Sequence, residues 1–172
     1  MDDRNMWRKA LITVPAIVAA GFVMGAVSNS GIGNSWYDPL VKPNFQPPGW
    51  AFGVVWTALY AMIGIALAAI LVSPRSPQRS RALTLFFVQL ALNFAWSPIF
   101  FGGGMIDLGL LVIVAMAILV AATIVAFWRI RPLAGALLIP YLAWLCLATA
   151  LNFETGRLNP GADKAPLGLT GA

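Results

Sequence analysis

Three sets of side chains share single helical faces. Gln89, Asn93, Trp96 and Phe100 recur at i, i+4, i+7 and i+11. Tyr141, Trp144, Ala148 and Asn152 recur at i, i+3, i+7 and i+11, and Trp56 and Tyr60 lie four apart. Each set is a stripe of aromatics, two of them punctuated by amides. Rings and neutral amides can stack on a large flat lipophilic molecule and hydrogen-bond its polar edges. They suit an ion poorly, because ion paths use charges or rings of carbonyls. A fourth set lies in the stretch WYDPLVKPNFQPPGW at 36–50, which holds four prolines and four aromatics. A connection so rich in both has something to cover.

Other chemistries are excluded by what is missing. The chain has no histidine, so histidine ligation of metal or haem and Ser-His or Cys-His catalysis have no base. The single Cys146 offers neither a disulfide nor a metal cluster, and it reads as a small hydrophobe. Gly102, Gly103 and Gly104 lack a following Lys-Ser/Thr, so they form a turn and not a phosphate cradle. No cofactor is expected. A net charge of +5 is explained below by topology, and nucleic acid is not an expected partner.

The stripes need helices in lipid to hold them. With 60% hydrophobic and only 10% charged residues, and a mean hydropathy of +0.82, the chain cannot be a soluble domain. Five apolar runs, at about 10–28, 51–72, 82–101, 106–128 and 133–153, each approach the roughly 20 residues that cross a bilayer core. They predict an all-α membrane protein, a five-helix bundle forming one domain over 1–156. The Pro/Gly-rich stretch 157–172 reads as a flexible tail. Barrel strands would alternate apolar and polar residues, whereas LGLLVIVAMAILVAATIVAF is apolar on every face. The breaks are SPRSPQRSR at 73–81, FGGGMID at 101–107 and RIRP at 129–132. Asp107 is the only ionisable side chain between Arg81 and Arg129, which places a turn there. A cleaved signal peptide ending near Ala26-Val27-Ser28 is the competing view of the first run. That run exceeds the usual 7 to 15 residues, so a retained helix is expected. A bacterial cell membrane is the expected location, with inner and outer membrane both left open.

On Trp36, Tyr37, Trp50 and Trp128, near segment ends, an interfacial aromatic belt is as good a reading as a pocket. The amides likewise serve helix association in other membrane proteins. Helix three also carries the small-xxx-small pair Ala91 and Ala95, with Ala91 about 200° from Gln89, so a homodimer contact is expected on its far side. Gly21 and Gly25 are a second such pair, equally suited to packing within one protomer.

WYDPLVKP followed by PPGWAFGVVWTALY, then QLALNFAWSPIFF, then PYLAWLCLATALNFE, together resemble the translocator protein family (TspO/MBR, peripheral benzodiazepine receptor-like) over nearly the whole chain. The resemblance implies a five-helix bundle, usually a homodimer, that binds porphyrins, sterols and benzodiazepine-type ligands under a lid formed by the first loop. Carried over by motif, the ligand site takes Trp36, Trp50, Trp56, Tyr60, Gln89, Asn93, Trp96, Tyr141, Trp144, Ala148 and Asn152. The lid takes Pro39, Lys42, Pro43, Phe45, Pro47 and Pro48, with Lys42 as the cation for porphyrin propionates and the aromatics as an apolar underside. Fixed φ at the four prolines lowers the entropy cost of ordering such a lid. Phe153 stands where the animal sterol pattern has Tyr, which puts sterols behind porphyrins. Binding or transport is the first function class implied. Light- and oxygen-dependent porphyrin breakdown and stress sensing through a partner are the alternatives.

Orientation follows from charge. Arg4, Arg8, Lys9, Arg75, Arg79, Arg81, Arg129 and Arg131 fall on one side, and Lys42, Arg157 and Lys164 on the other. The positive-inside rule puts the first group in the cytoplasm. In a Cys146→Ala background, Asn44→Cys should therefore react with an impermeant maleimide added outside intact cells, and Ser76→Cys should not. The opposite labelling pattern would invert the topology.

Overall fold

The computed structural model describes residues 3–171, which form helices and no strand among the described residues. The helices are α1 (Asp3–Val27), α2 (Gly49–Leu71), α3 (Pro77–Ser97), α4 (Ile106–Trp128), α5 (Pro132–Ala136) and α6 (Ile139–Leu158). Five stretches are long and apolar enough to cross a membrane: Arg4–Val27, Gly49–Leu71, Pro77–Gly102, Ile106–Trp128 and Pro132–Leu158. The fifth is built from α5 and α6 together. The chain is therefore a multi-pass integral membrane protein, as its composition requires.

Prolines set the irregularities. Pro98 has no N–H to return to the preceding turn, so α3 widens into a π turn over Pro98–Gly102, closed by Gly103 N donating to Pro98 O at 2.8 Å. Pro140 has none either, and the chain pauses at Leu137 and Leu138 between α5 and α6. Pro77, like Pro140 in α6, sits in the first turn of its helix, where a missing N–H costs nothing, and the Ser76 hydroxyl accepts from Arg79 N at 3.1 Å. Half of the basic 73–81 stretch is consequently helical. Arg79 reaches back from it to cap α2, donating to Ile70 O at 2.9 Å and Leu71 O at 3.1 Å.

The helices form a ring in which α1 packs on α2, α2 on α5 and α6, these on α4, α4 on α3, and α3 back on α1. Toward the basic end the interior is largely apolar. Ile63, Ile70, Ala82, Phe86, Val120, Phe127 and Leu138 are fully buried there, and Phe86 stacks on Phe127 at 5.5 Å. The polar side chains of the stripes lie in the middle and at the opposite end.

One open sequence alternative is decided and one expectation changes. Gly21 faces the ring of Tyr60, and any Cβ there would collide with it, so Gly21 serves packing within the protomer. The stretch 157–172, expected to be flexible, starts with the last residues of α6, and 159–171 folds back over the bundle end. There the side chains of Asp163 and Thr170 are buried against the first turn of α4. Its order comes from backbone N–H groups meeting carboxylates, a pairing that Pro/Gly-rich composition does not advertise.

Gly64 shows how closely α1 and α2 approach. A Cβ on it would lie 2.7 Å from Val14 Cα, and the Thr13 hydroxyl donates to its carbonyl at 2.7 Å. Gly64→Ala should destabilise the protein by about 1–3 kcal/mol through forced separation of the helices. Gly53→Ala, which meets nothing, should be neutral or stabilising by up to about 1 kcal/mol. Apparent melting temperatures in detergent compare the two, and equal shifts would contradict the close approach.

Candidate functional site

Side chains from four helices meet in a buried hub at mid-bundle. The Tyr60 hydroxyl donates to Asn93 Oδ1 at 3.0 Å, and Asn93 Nδ2 donates to the Tyr141 oxygen at 2.8 Å. The Tyr141 hydroxyl lies 3.2 Å from both Gln89 Oε1 and Met116 Sδ, so its one proton serves one of them at a time. Gln89 and Tyr141 are fully buried. In hydrocarbon such groups must find partners, and here they find one another across α2, α3, α4 and α6. Gln89 Nε2 is the exception, with no partner among the described residues.

A wall of rings lies against this hub. Trp56 is 5.1 Å from Tyr60, 6.2 Å from Tyr141 and 6.5 Å from Trp144, centroid to centroid, and Phe52 lies 5.6 Å from Trp144. Ala148 follows Trp144 one turn later, half-buried against the core. Thus Trp56, Tyr60, Gln89, Asn93, Tyr141, Trp144 and Ala148, expected on one site from their spacing, are brought together. Phe52 belongs with them. It escaped notice in the sequence because it lies one turn beyond the Trp56–Tyr60 pair, among the residues after the loop.

Trp96 and Asn152 form a second group near the other end of the stripes. Trp96 Nε1 donates to Gly109 O at 3.1 Å and Asn152 Nδ2 to Ile106 O at 2.9 Å, so both tie their helices to the start of α4. Asn152 Oδ1 finds no partner among the described residues. The ring of Trp96 stacks on Phe100 at 4.9 Å, and Phe100 in turn meets Trp36 at 5.5 Å and Tyr37 at 6.1 Å. Tyr37 also packs on Phe101 at 4.9 Å. The π turn caused by Pro98 is what offers Phe100 and Phe101 to the loop.

The loop 28–48 covers this end but not with all its aromatics. Trp36 and Tyr37 turn inward, while Phe45 is 46% exposed and Trp50 73% exposed. Trp50 does not join the other site residues, and Phe45 is not part of an underside. Asn34 organises the inward limb: its Oδ1 accepts from Trp36 N at 3.0 Å and Tyr37 N at 2.9 Å, and its Nδ2 donates to Phe101 O at 3.2 Å. Pro43 is buried and Pro47 half-buried, whereas Pro39 and Pro48 are exposed, the last preceding α2 with extended backbone. Lys42 is not held out for a ligand. Its ammonium donates to the carbonyls of Leu40, at 2.8 Å, and Tyr37, and lies 4.0 Å over the Tyr37 ring. Burial lowers the Lys42 pKa and Asp38 works against that shift, while burial raises the pKa of the Tyr37 phenol, whose hydroxyl pairs with Gln46 Oε1 at 3.1 Å. On α3, Ala91 is exposed and Ala95 half-buried, away from the hub.

A sequence profile of the TspO/MBR family matches residues 12–158. The chain is 42% identical over 161 residues to the tryptophan-rich sensory protein of Cereibacter sphaeroides, covering 94% of this chain and 98% of that protein. It is 40% identical over 146 residues to Protein CrtK of Rhodobacter capsulatus, covering 83% and 88%. To the human translocator protein it is 38% identical over 143 residues, covering 82% and 85%. With its five spans, its aromatic wall and these matches along most of its length, the chain belongs to the TspO/MBR family.

Proposed function

We propose that this protein binds, and carries between membrane leaflets or to a partner, planar lipophilic ligands of the porphyrin type, at the aromatic wall between α2 and α6. One observation carries the proposal: Phe52, Trp56, Tyr60, Tyr141 and Trp144 form a continuous ring cluster against an amide hub inside lipid. A large π face with a few polar edges is the complement of that surface. A ligand sandwiched between two rings needs their centroids about 7 Å apart, twice a contact of about 3.5 Å. The ring pairs lie closer, so binding requires Trp56 or Trp144 to swing aside and the ligand to take its place in the wall.

The charged arms of a porphyrin need a cation at the lid end. Lys42 is engaged with its own loop, so the proposal shifts that role to Lys164, which is exposed and runs beside Trp36 across Gly104. Flat neutral ligands such as sterols use the wall without that residue. The sensory function named for one relative is compatible with the same site, with the bound ligand as the signal.

The proposal extends to a homodimer through the outer face of α3. Leu83, Phe87 and Ala91 there border a shallow open groove that nothing in the protomer fills. Leu at both Ala91 and Ala95 should shift the detergent-solubilised protein from dimer to monomer in light scattering and keep porphyrin binding. A dimer that persists would rule this face out.

Trp56→Ala and Trp144→Ala should each weaken protoporphyrin binding by about 1 kcal/mol or more, whereas Trp50→Ala should leave it unchanged. Quenching of tryptophan fluorescence in a titration measures all three. Lys164→Gln should weaken binding of the free dicarboxylate but not of its dimethyl ester. Equal affinity across the Trp56, Trp144 and wild-type proteins would place the ligand elsewhere.

A further inference from the structure

We propose that residues 159–171 are a lock that holds the loop 28–48 closed over the bundle end, and that Asp107 is the positioning residue that seats the lock. The proposal rests on the reading above in one respect only, that the loop is the lid of a ligand site.

Asp107 is fully buried in the first turn of α4, and its carboxylate is surrounded by the C-terminal segment. Oδ2 accepts from Leu167 N at 2.8 Å and Leu169 N at 3.1 Å, and Oδ1 from the Thr170 hydroxyl at 2.7 Å. These donors form a nest around the anion. The reverse contact also exists, since Asp107 N donates to Asp163 Oδ2 at 2.8 Å, which caps an α4 N-terminus that Met105 leaves uncapped. Two glycines clear the path. A Cβ at Gly156 would lie 2.5 Å from Thr170 Cβ, and a Cβ at Gly104, whose φ is +65°, would lie 3.0 Å from Lys164 and 3.1 Å from Trp36. Lys164 N donates to Gly104 O at 3.0 Å.

The same segment grips the loop. Trp36 Nε1 donates to Ala162 O at 3.1 Å. Asn159 closes a reciprocal pair with Val41, accepting from its N–H at 2.7 Å and donating to its carbonyl at 2.9 Å. The limb 36–42 therefore cannot lift without breaking its bonds to 159–162. Those residues cannot leave freely while 163–170 are seated on Asp107, because the carboxylate would lose its donors in a buried position. Asp107 reaches the lid through the segment and touches neither the loop nor the ring wall through its carboxylate.

Three variants test this: Asp107→Asn, which removes the charge and turns one of the two acceptor positions into a donor; Thr170→Val, which removes the hydroxyl; and Gly156→Val, which occupies the Thr170 seat from the other side. Amide hydrogen exchange should rise together in 36–42 and 159–171, by at least about tenfold in Asp107→Asn, while 59–70 in α2 stays protected. Protoporphyrin association and dissociation rates, read by stopped-flow tryptophan quenching, should both rise by similar factors, leaving affinity little changed. If Asp107→Asn does not fold, the other two variants carry the test. Faster exchange confined to 159–171, with the loop and both rates unchanged, overturns the lock and leaves the segment as a cap on α4. Loosening of 59–70 along with the ends overturns it too, as general destabilisation. If the wild-type protein binds no porphyrin, the ligand reading fails by itself, and joint or separate exchange of the two segments still decides the lock.

Discussion

Hydrocarbon offers backbone amides nothing to bond with, so each span must satisfy its own N–H and C=O groups or have them met by protein. A proline inside a span is then a local problem that needs a local structural answer. At Pro98 the answer is a widened turn, in which Gly103 N reaches Pro98 O, and the extra residue rotates Phe100 and Phe101 toward the loop. The rings that the loop covers are thus placed by a missing donor.

The same constraint explains why the interior hub is made of phenols and amides. Neutral groups cost less to desolvate than charges, and each can both donate and accept, so Tyr60, Asn93, Tyr141 and Gln89 close a chain without an ion. They hold α2, α3 and α6 in one register, which fixes the height of Trp56 and Trp144 on their helices. Packing at the basic end, where Phe86 stacks on Phe127, gives that register a rigid floor. The wall of rings is consequently placed by groups deeper than itself.

Much of this was legible in the sequence because helical periodicity is a regular signal. The spans, their number and the facing of Gln89, Asn93, Trp56, Tyr60, Tyr141 and Trp144 all follow from spacing of about 3.6 residues per turn. What was illegible lies where periodicity stops. In a loop with four prolines nothing in the residue types says that Trp36 turns in and Phe45 out. Lys42 is the cation of the loop by composition, yet its short-range partners are backbone carbonyls that every sequence has. Gly21 is equally suited to a neighbouring protomer or to Tyr60, and only the fold chooses Tyr60. Asp107 gave a signal, a lone acid in nearly fifty residues. Residue type alone marks only a turn there, because its partners, two main-chain amides and the Thr170 hydroxyl, lie about sixty residues away.

Asp107 also shows why five spans suit this architecture. An odd number puts the end of α1, the start of α4 and the end of α6 on one face of the bundle, so the first loop, the glycine turn and the C-terminal segment meet there. With four or six spans the segment after the last helix would emerge at the basic end, too far from the loop to bond with it. The start of α4 carries the positive end of a helix dipole, which favours an anion in its first turn, and the Asp107 carboxylate takes that position. A carboxylate already favoured by the helix then needs only oriented N–H donors, which a short irregular segment can supply without secondary structure of its own. The irregularity of 159–171 is therefore what its task requires, since a helix would have spent those donors on itself.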